Sequence, residues 1–289
     1  MTDDEAGRTP AGDEERGADA PPAAPVDPDY VERRLADREV PWPRPTVLAS
    51  TGSTNADLLA VAAAGAPEGT VVVADEQTAG RGRLGRAWIS APGAGLWFSV
   101  LVRVGDAERA RAGILPLMAG VAVADAIGRH GVAAVLKWPN DVVVDDHRPD
   151  AEGTGLRKLS GLLGEADGAG AVVIGIGVNV SQSADELPVP GATSLALEGA
   201  TVPRSDLLVD ILTGLHAALA DLRSTGGSVT MQEYRRLCTT VGRDVTATLP
   251  SGEVIAGHAI GIADDGRLGI HTPGNTVYVA AGDVIHATI

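Results

Sequence analysis

Three apolar runs in the middle of the chain, residues 135–144, 156–164 and 171–180, constrain the fold most. Each is β-like, and turn-rich segments join one to the next, which predicts an antiparallel meander. The link at 145–155 is acidic and glycine-rich, so an exposed, mobile loop is expected there. Residues 46–49 and 70–74 read as earlier strands, and 96–102 alternates too little to be half exposed, so it should be covered on both faces. Helical spacing places helices at 56–64, 109–127, 205–222 and 230–239, with Pro116 marking a break or first turn and Ser205 as a cap. Tyr234 and Cys238 read as core residues. From 241 onward the pattern changes to short alternating strands separated by Pro/Gly/Asp turns, the signature of a small β-barrel of about 50 residues packed on the preceding domain.

The first 28 or so residues carry no periodic apolar pattern and read as a disordered acidic tail. A short helical turn is expected at 33–40, and the folded region is expected to begin near Thr46. The domain division is then 1–45 tail and linker, 46–239 a larger α/β domain, and 240–289 barrel.

At 289 residues and 44% hydrophobic content the chain can build a proper core. A formal net charge of -15 argues against a nucleic-acid binder, because such binding is driven by Lys and Arg neutralising phosphates. The single Cys238 cannot close an internal disulfide. The N-terminus lacks an apolar signal core and no run reaches about 18 apolar residues, so no export or membrane spanning is expected and the cytoplasm is inferred.

Against that acidic background, the string Gln77-Thr78-Ala79-Gly80-Arg81-Gly82-Arg83-Leu84-Gly85-Arg86-Ala87-Trp88 is basic. Its glycines let backbone N–H groups approach an anion and its guanidinium forks match phosphate oxygens, so it reads as a polyphosphate clamp; alone it reads equally as a mobile basic surface loop. Lysine usage is informative, since only Lys137 and Lys158 occur among 23 basic residues. Lys137 opens Lys137-Trp138-Pro139-Asn140-Asp141, which either places a cation and a metal-binding carboxylate on one rim or is a polar β-turn. Lys158 lies inside an apolar strand, where it snorkels out or is held by an anion. Gly175 and Gly177 weaken a strand, which marks close approach by a ligand or by backbone. Ser53-Thr54-Asn55 precedes a helix: Thr54 followed by Asp57 resembles a capping box, and the same helix start suits a carboxylate or phosphate.

In this order, Ser53-Thr54-Asn55, GRGRLGRAW, KWPND, RKLSGLLGE and GIGVN resemble the biotin protein ligases (biotin–acetyl-CoA-carboxylase ligases), with a longer loop before Lys158. The resemblance covers about residues 46 to 289 and implies an α/β (α+β) catalytic domain of class II synthetase type, with a mixed, largely antiparallel sheet and helices, followed by an SH3-like barrel. It implies activation of biotin by ATP as biotinyl-5′-AMP, then transfer to a lysine of a biotin carboxyl carrier protein.

By matching motif positions, the resemblance gives Ser53, Thr54, Asn55, Gln77, Arg81, Gly82, Arg83 and Lys158 to biotin. It gives Arg83, Arg86, Trp88, Lys137, Asn140 and Asn179 to ATP, with Trp88 stacked on adenine. Lys158, Arg83 and Arg81 would be catalytic, and Asp141 would hold a magnesium ion. Bifunctional members carry an N-terminal helix-turn-helix domain. Here about 45 residues, acidic in character and low in pattern, precede the catalytic region, so a monofunctional ligase that does not bind DNA is expected, as a monomer or weak homodimer. Lipoate-protein ligases share the fold and the adenylation logic, and a non-enzymatic scaffold with a binding barrel is a third reading.

Overall fold

The computed structural model describes residues 24–88, 92–145, 155–187, 189, 191–280 and 282–286. Strands β1 (Thr46–Leu48), β2 (Val71–Ala74), β3 (Gly95–Arg103), β4 (Ala134–Lys137), β5 (Asp141–Asp145), β6 (Leu156–Ala166) and β7 (Ala171–Asn179) form one sheet in the order β1-β2-β3-β7-β6-β5-β4. Only β1 and β2 pair in parallel, so the sheet is mixed and largely antiparallel, with the expected meander running from its middle strand, β7, to the β4 edge. The single run expected at 135–144 is two strands, β4 and β5, hinged by a turn at Trp138-Pro139-Asn140.

The two faces of β7 explain where the site lies. Val172, Ile174, Ile176 and Val178 alternate onto one face and enter the main core. Each aliphatic side chain buried there contributes about 1.5–3 kcal/mol. Ala171 and Val173 point the other way, against Leu58 and Ala62 of a helix laid over that face, but Gly175 and Gly177 follow with no side chain at all. A glycine in a strand costs about 0.5–1 kcal/mol relative to alanine, so the core face carries the strand and the opposite face can afford a hollow.

The helices are α1 (Pro28–Ala36), α2 (Thr54–Ala63), the short α3 (Asp106–Arg109), α4 (Leu115–Arg129), α5 (Arg204–Thr225) and α6 (Ser228–Leu237). α2 covers the β3–β7 end of the glycine-bearing face, while α4 packs against β4, β5 and β6 and against α5 on the other. The stretch Ala112–Arg129 is long and apolar enough to cross a membrane by composition, but it is mostly buried as the central core helix. Pro116 sits in the first turn of α4, where its missing N–H costs nothing. Ser205 does not cap α5: Pro203 holds that position, and the Ser205 hydroxyl accepts a hydrogen bond from Asp27 N at 3.0 Å.

That contact belongs to a correction. The folded region does not begin near Thr46, because Val26, Val31, Leu35, Val40 and Trp42 are all buried and α1 packs along α5. The helix starts at Pro28, capped by Asp27, whose carboxylate accepts from the backbones of Asp29 and Tyr30. Arg38 is bonded to Asp210 at 2.6 Å, which fixes the helix's end to α5. The reason it reads as linker is sparseness: Val31 and Leu35, one helical turn apart, carry the apolar side of α1. Residues 1–23 of the expected tail and 146–154 of the expected mobile loop lie outside the described residues.

Five antiparallel strands, β8 (Asp244–Thr248), β9 (Val254–Ile262), β10 (Leu268–Thr272), β11 (Asn275–Val279) and β12 (Asp283–His286), form the SH3-like barrel in the order β11-β10-β9-β8-β12. Trp138 joins it to the larger domain. Its indole is 1% exposed, its Nε1 donates to Gly266 O at 2.9 Å, and its backbone N donates to Thr240 Oγ1 at 3.0 Å. Trp138→Ala removes a large buried side chain and leaves the Gly266 carbonyl unpaired. It is expected to cost about 3–5 kcal/mol in urea unfolding.

Candidate active site

A cavity of about 810 Å³ opens over the glycines of β7 and is lined by every one of the motifs singled out above. The floor is made by Gly161 of β6 and Gly177 of β7, which are partners in register. The Trp88 indole lies directly on them: a Cβ at Gly177 would sit 2.6 Å from its ring and one at Gly161 2.7 Å. Trp97 meets the same indole edge-on at 5.9 Å, and Lys158 Nζ stands over it, 5.5 Å from the ring centroid. The close approach expected at Gly175 and Gly177 is thus made by side chains, since a Cβ at Gly175 would lie 2.3 Å from Asn55 Oδ1.

Lys158 reaches this face because β6 is irregular. The β5–β6 register shifts between Val142 and Val143, whose partners are Ser160 and Lys158, so Leu159 is an extra residue. Without the bulge, positions 158 and 161 would point to opposite faces. With it, the Lys158 side chain passes 3.3 Å from where a Gly161 Cβ would be. Lys158 N bonds Gly191 O at 2.7 Å and Thr193 N bonds Lys158 O at 2.9 Å, which fixes the residue from the loop side. Its ammonium is 2.7 Å from Asp141 Oδ1, a charge contact whose angle falls short of a hydrogen bond.

The Ser53-Thr54-Asn55 triplet forms a second wall. Ser53 is the helix N-cap residue and makes no side-chain cap. The capping box expected between Thr54 and Asp57 is absent, because Asp57 is bound by Thr51 and Thr54 is turned elsewhere. Thr54 N and Oγ1 both donate to Gln77 Oε1, at 2.9 and 3.1 Å, fixing the orientation of that amide at the start of the arginine loop. Ser99 Oγ, fully buried in β3, lies 2.7 Å from Thr54 Oγ1 and 2.6 Å from Asn55 Oδ1. Asn55 Nδ2 then donates to Glu165 Oε2 at 2.7 Å, and Glu165 in turn lies 3.4 Å from Arg81.

The three loop arginines are held differently. Arg81 is half exposed beside Glu165, and Arg86 makes a two-pronged bond to Asp283 on β12 of the barrel. Arg83 has no carboxylate within ion-pair distance among the described residues. Burial pulls its guanidinium below the usual arginine value against the fields of Asp141 and Asp283. A partly desolvated cation with no close counter-ion is a receptor for an anion. Gly82 N donates to Arg86 O at 2.8 Å, closing the loop's tight turn.

The turn of β4 and β5 places Lys137 opposite Asp141, as a rim carrying both charges. Asn140 Nδ2 donates to Leu162 O at 3.1 Å and ties the turn to β6. Asn179 is 7% exposed and its amide is spent on Thr193 O at 2.9 Å, with its carbonyl taken by Gln182, so within the cavity wall it holds backbone in place.

Sequence reasoning passes over Ser99, Glu165, Asp283 and His286. Ser99 had a signal, being the one polar residue in the apolar strand 96–102; Asp283 and His286 had none, because only the docking of the barrel brings them here. His286 lines the cavity at 2% exposure, with Nε2 3.2 Å from Thr240 Oγ1. Burial, followed by the nearby Lys137 and Arg243, lowers its pKa from 6.5 to about 4.

Residues 47–179 match the biotin/lipoate A/B protein ligase family and residues 240–287 match the biotin protein ligase C-terminal domain, and the chain belongs to this family. It is 41% identical over 271 residues to the biotin–[acetyl-CoA-carboxylase] ligase of Mycobacterium tuberculosis, with 90% of this chain and 96% of that protein covered. It is 33% identical to the bifunctional ligase/repressor BirA of Bacillus spizizenii, over 82% of this chain and 71% of that one. Among solved structures, the biotin protein ligase from Aquifex aeolicus in complex with biotin and ATP superposes with a TM-score of 0.71 at 28% identity, covering 84% of this chain and 98% of that one.

The site generates two predictions. Gly177→Ala is expected to lift the Trp88 indole and shift tryptophan emission while the protein remains folded; unchanged emission would show that the ring does not rest there. For His286 the sign follows from its lowered pKa: between pH 6.5 and about 4 the unfolded chain takes up a proton that the folded one refuses, so stability falls as pH falls through that window. The loss amounts to about 3 kcal/mol. His286→Gln should flatten that part of the stability profile measured by urea unfolding at a series of pH values.

Proposed function

We propose that this ligase uses ATP to activate biotin as biotinyl-5′-AMP and transfers the biotinyl group to a lysine of a biotin carboxyl carrier protein. The observation that carries this reading is the convergence of Lys158, Arg83 and Arg81 on one cavity that Thr54, Asn55 and Gln77 also line. In the first step a biotin carboxylate oxygen attacks the α-phosphorus, the bond to the β-phosphate's bridging oxygen breaks, and pyrophosphate leaves. In the second, an acceptor lysine amine attacks the acyl carbonyl, AMP departs and the amine loses a proton.

Two anions have to meet in the first step, and their repulsion is the main electrostatic obstacle. Lys158 neutralises the carboxylate and α-phosphate, and Arg83, already partly desolvated, binds phosphate at a reduced solvation cost. Arg81 is shared between substrate and Glu165, and Arg86 and Lys137 extend the positive field to the outer phosphates. The polar groups of Ser53, Thr54, Asn55 and Gln77, with the Arg81-Gly82-Arg83 backbone, recognise biotin's polar head. Trp88 supplies the flat apolar wall for adenine or biotin, and Asn140 and Asn179 set the backbone of the nucleotide side.

A magnesium ion fits the donor set in a limited way. Among the described residues there is no group of three or more His, Cys, Asp or Glu that could cage a metal, and Asp141 is the cavity carboxylate that would hold it. Mg²⁺ is commonly held by one or two carboxylates together with substrate phosphates, and it would neutralise phosphate charge here. We also place the protein in the cytoplasm and assign it no role for nucleic acid; the net charge of -15 supports the second reading.

Biotin-dependent exchange of labelled pyrophosphate into ATP, with Mg²⁺ present, tests the reading directly. Exchange supported by lipoate and not by biotin overturns the substrate assignment, and exchange with neither overturns the enzyme assignment. Lys158→Ala is expected to lower the exchange rate by about 100-fold or more, the effect of removing a charge-stabilising donor.

A further inference from the structure

Arg204 opens α5 and does not line the cavity, yet its side chain is 1% exposed and, among the described residues, its guanidinium is shared among three parts of the chain. Nη1 donates to Asp75 Oδ1 at 2.7 Å and to Gly95 O at 3.2 Å. Nε and Nη2 both donate to Ala24 O, at 3.1 and 2.9 Å. The first two partners flank the arginine loop. Asp75 ends the approach from β2, two residues before Gln77, and Gly95 begins β3 on the far side.

Each foot leads into the site. From Asp75 the chain continues to Glu76, whose carbonyl accepts from Thr51 N at 3.1 Å, and then to Gln77, whose side chain is fixed by Thr54. From Gly95 the path runs through Trp97, whose indole covers that glycine so closely that a Cβ there would lie 2.1 Å from the ring; Trp97 then meets Trp88 edge-on. The segment ahead of α1 completes the arrangement from outside, with Val26 only 3% exposed beside the Ala24 carbonyl. A guanidinium can serve three acceptors in fixed directions, which an ammonium on a lysine stem cannot.

We propose that Arg204 is a positioning residue for the arginine loop, holding both its feet, and that the segment around Ala24–Val26 is a strap that completes its coordination. The kinetic part rests on the adenylation reading; the structural part does not. A misplacement of about 1 Å at reacting groups can cost 100-fold, so a loosened loop should be visible in catalysis as well as in accessibility.

The test uses the full chain with two substitutions, Arg204→Lys and Val26→Asp, neither of which touches the cavity. Tryptic cleavage after Arg81, Arg83 and Arg86 is followed by mass spectrometry without ligand, and KM for ATP is measured in the pyrophosphate exchange assay. Both variants are expected to cleave about tenfold faster in this loop and to show KM raised about tenfold, more than kcat is lowered. A purely structural role would lower the thermal midpoint and leave loop cleavage and KM at wild-type values, and that result in the two folded variants overturns the proposal. If Arg204→Lys does not fold, Asp75→Asn, which weakens the Arg204 contact at one foot, takes its place in the same comparison. If Arg204→Lys loosens the loop and Val26→Asp does not, the strap is overturned. Wild-type exchange is measured in parallel: its absence refutes the adenylation reading, and the cleavage comparison still judges Arg204.

Discussion

A β-strand has two faces, and this protein depends on the unequal use made of them at the centre of its sheet. On β7 the even positions are filled with Val and Ile and anchor the sheet to α4 and α5. The odd positions are emptied by Gly175 and Gly177, and the hollow so formed admits Asn55 and Trp88. The binding face is therefore carried by packing on the reverse side. This is why a strand weakened by two glycines can remain the innermost of seven. The bulge at Leu159 solves the matching problem on β6, where an odd-spaced lysine has to share a face with Gly161.

Charge is arranged with the same economy. An acidic chain concentrates Arg81, Arg83, Arg86, Lys137 and Lys158 around one cavity, and gives most of them a carboxylate to rest on. Glu165 faces Arg81, Asp141 faces Lys158 and Asp283 faces Arg86. The exposed pairs contribute little to stability because water screens them. Their value is in keeping the cations from repelling one another and from collapsing elsewhere before a substrate's own negative charge arrives. Arg83, without such a partner, is the exception, and its depressed pKa reports the cost of waiting in a desolvated position.

Much of this was legible in the sequence, for identifiable reasons. The sheet, the main helices and the barrel follow from local periodicity, and the motif residues converge because each sits on or beside the same face of the sheet. What was hidden depended on distant pairing. The segment 26–42 has too few apolar residues to announce itself, and only the surface of α5 makes Val31 and Leu35 a core element. The capping box at Thr54 was plausible locally but lost to Gln77, 23 residues away, which offers Thr54 two bonds at once. The bulge at Leu159 leaves no mark on composition, and Ser99 and Glu165 gain their roles through strands that are neighbours only after folding.

The bond between Arg86 and Asp283 has a consequence for how the chain can evolve. Together with His286 it makes part of the cavity wall the property of the last strand of the barrel. The barrel is then a component of the site, and its sequence is not free to drift as an independent module would. Exchange of this barrel for another of the same fold would have to reproduce an acidic residue at the start of β12, or the loop would lose its only foothold outside the catalytic domain among the described residues.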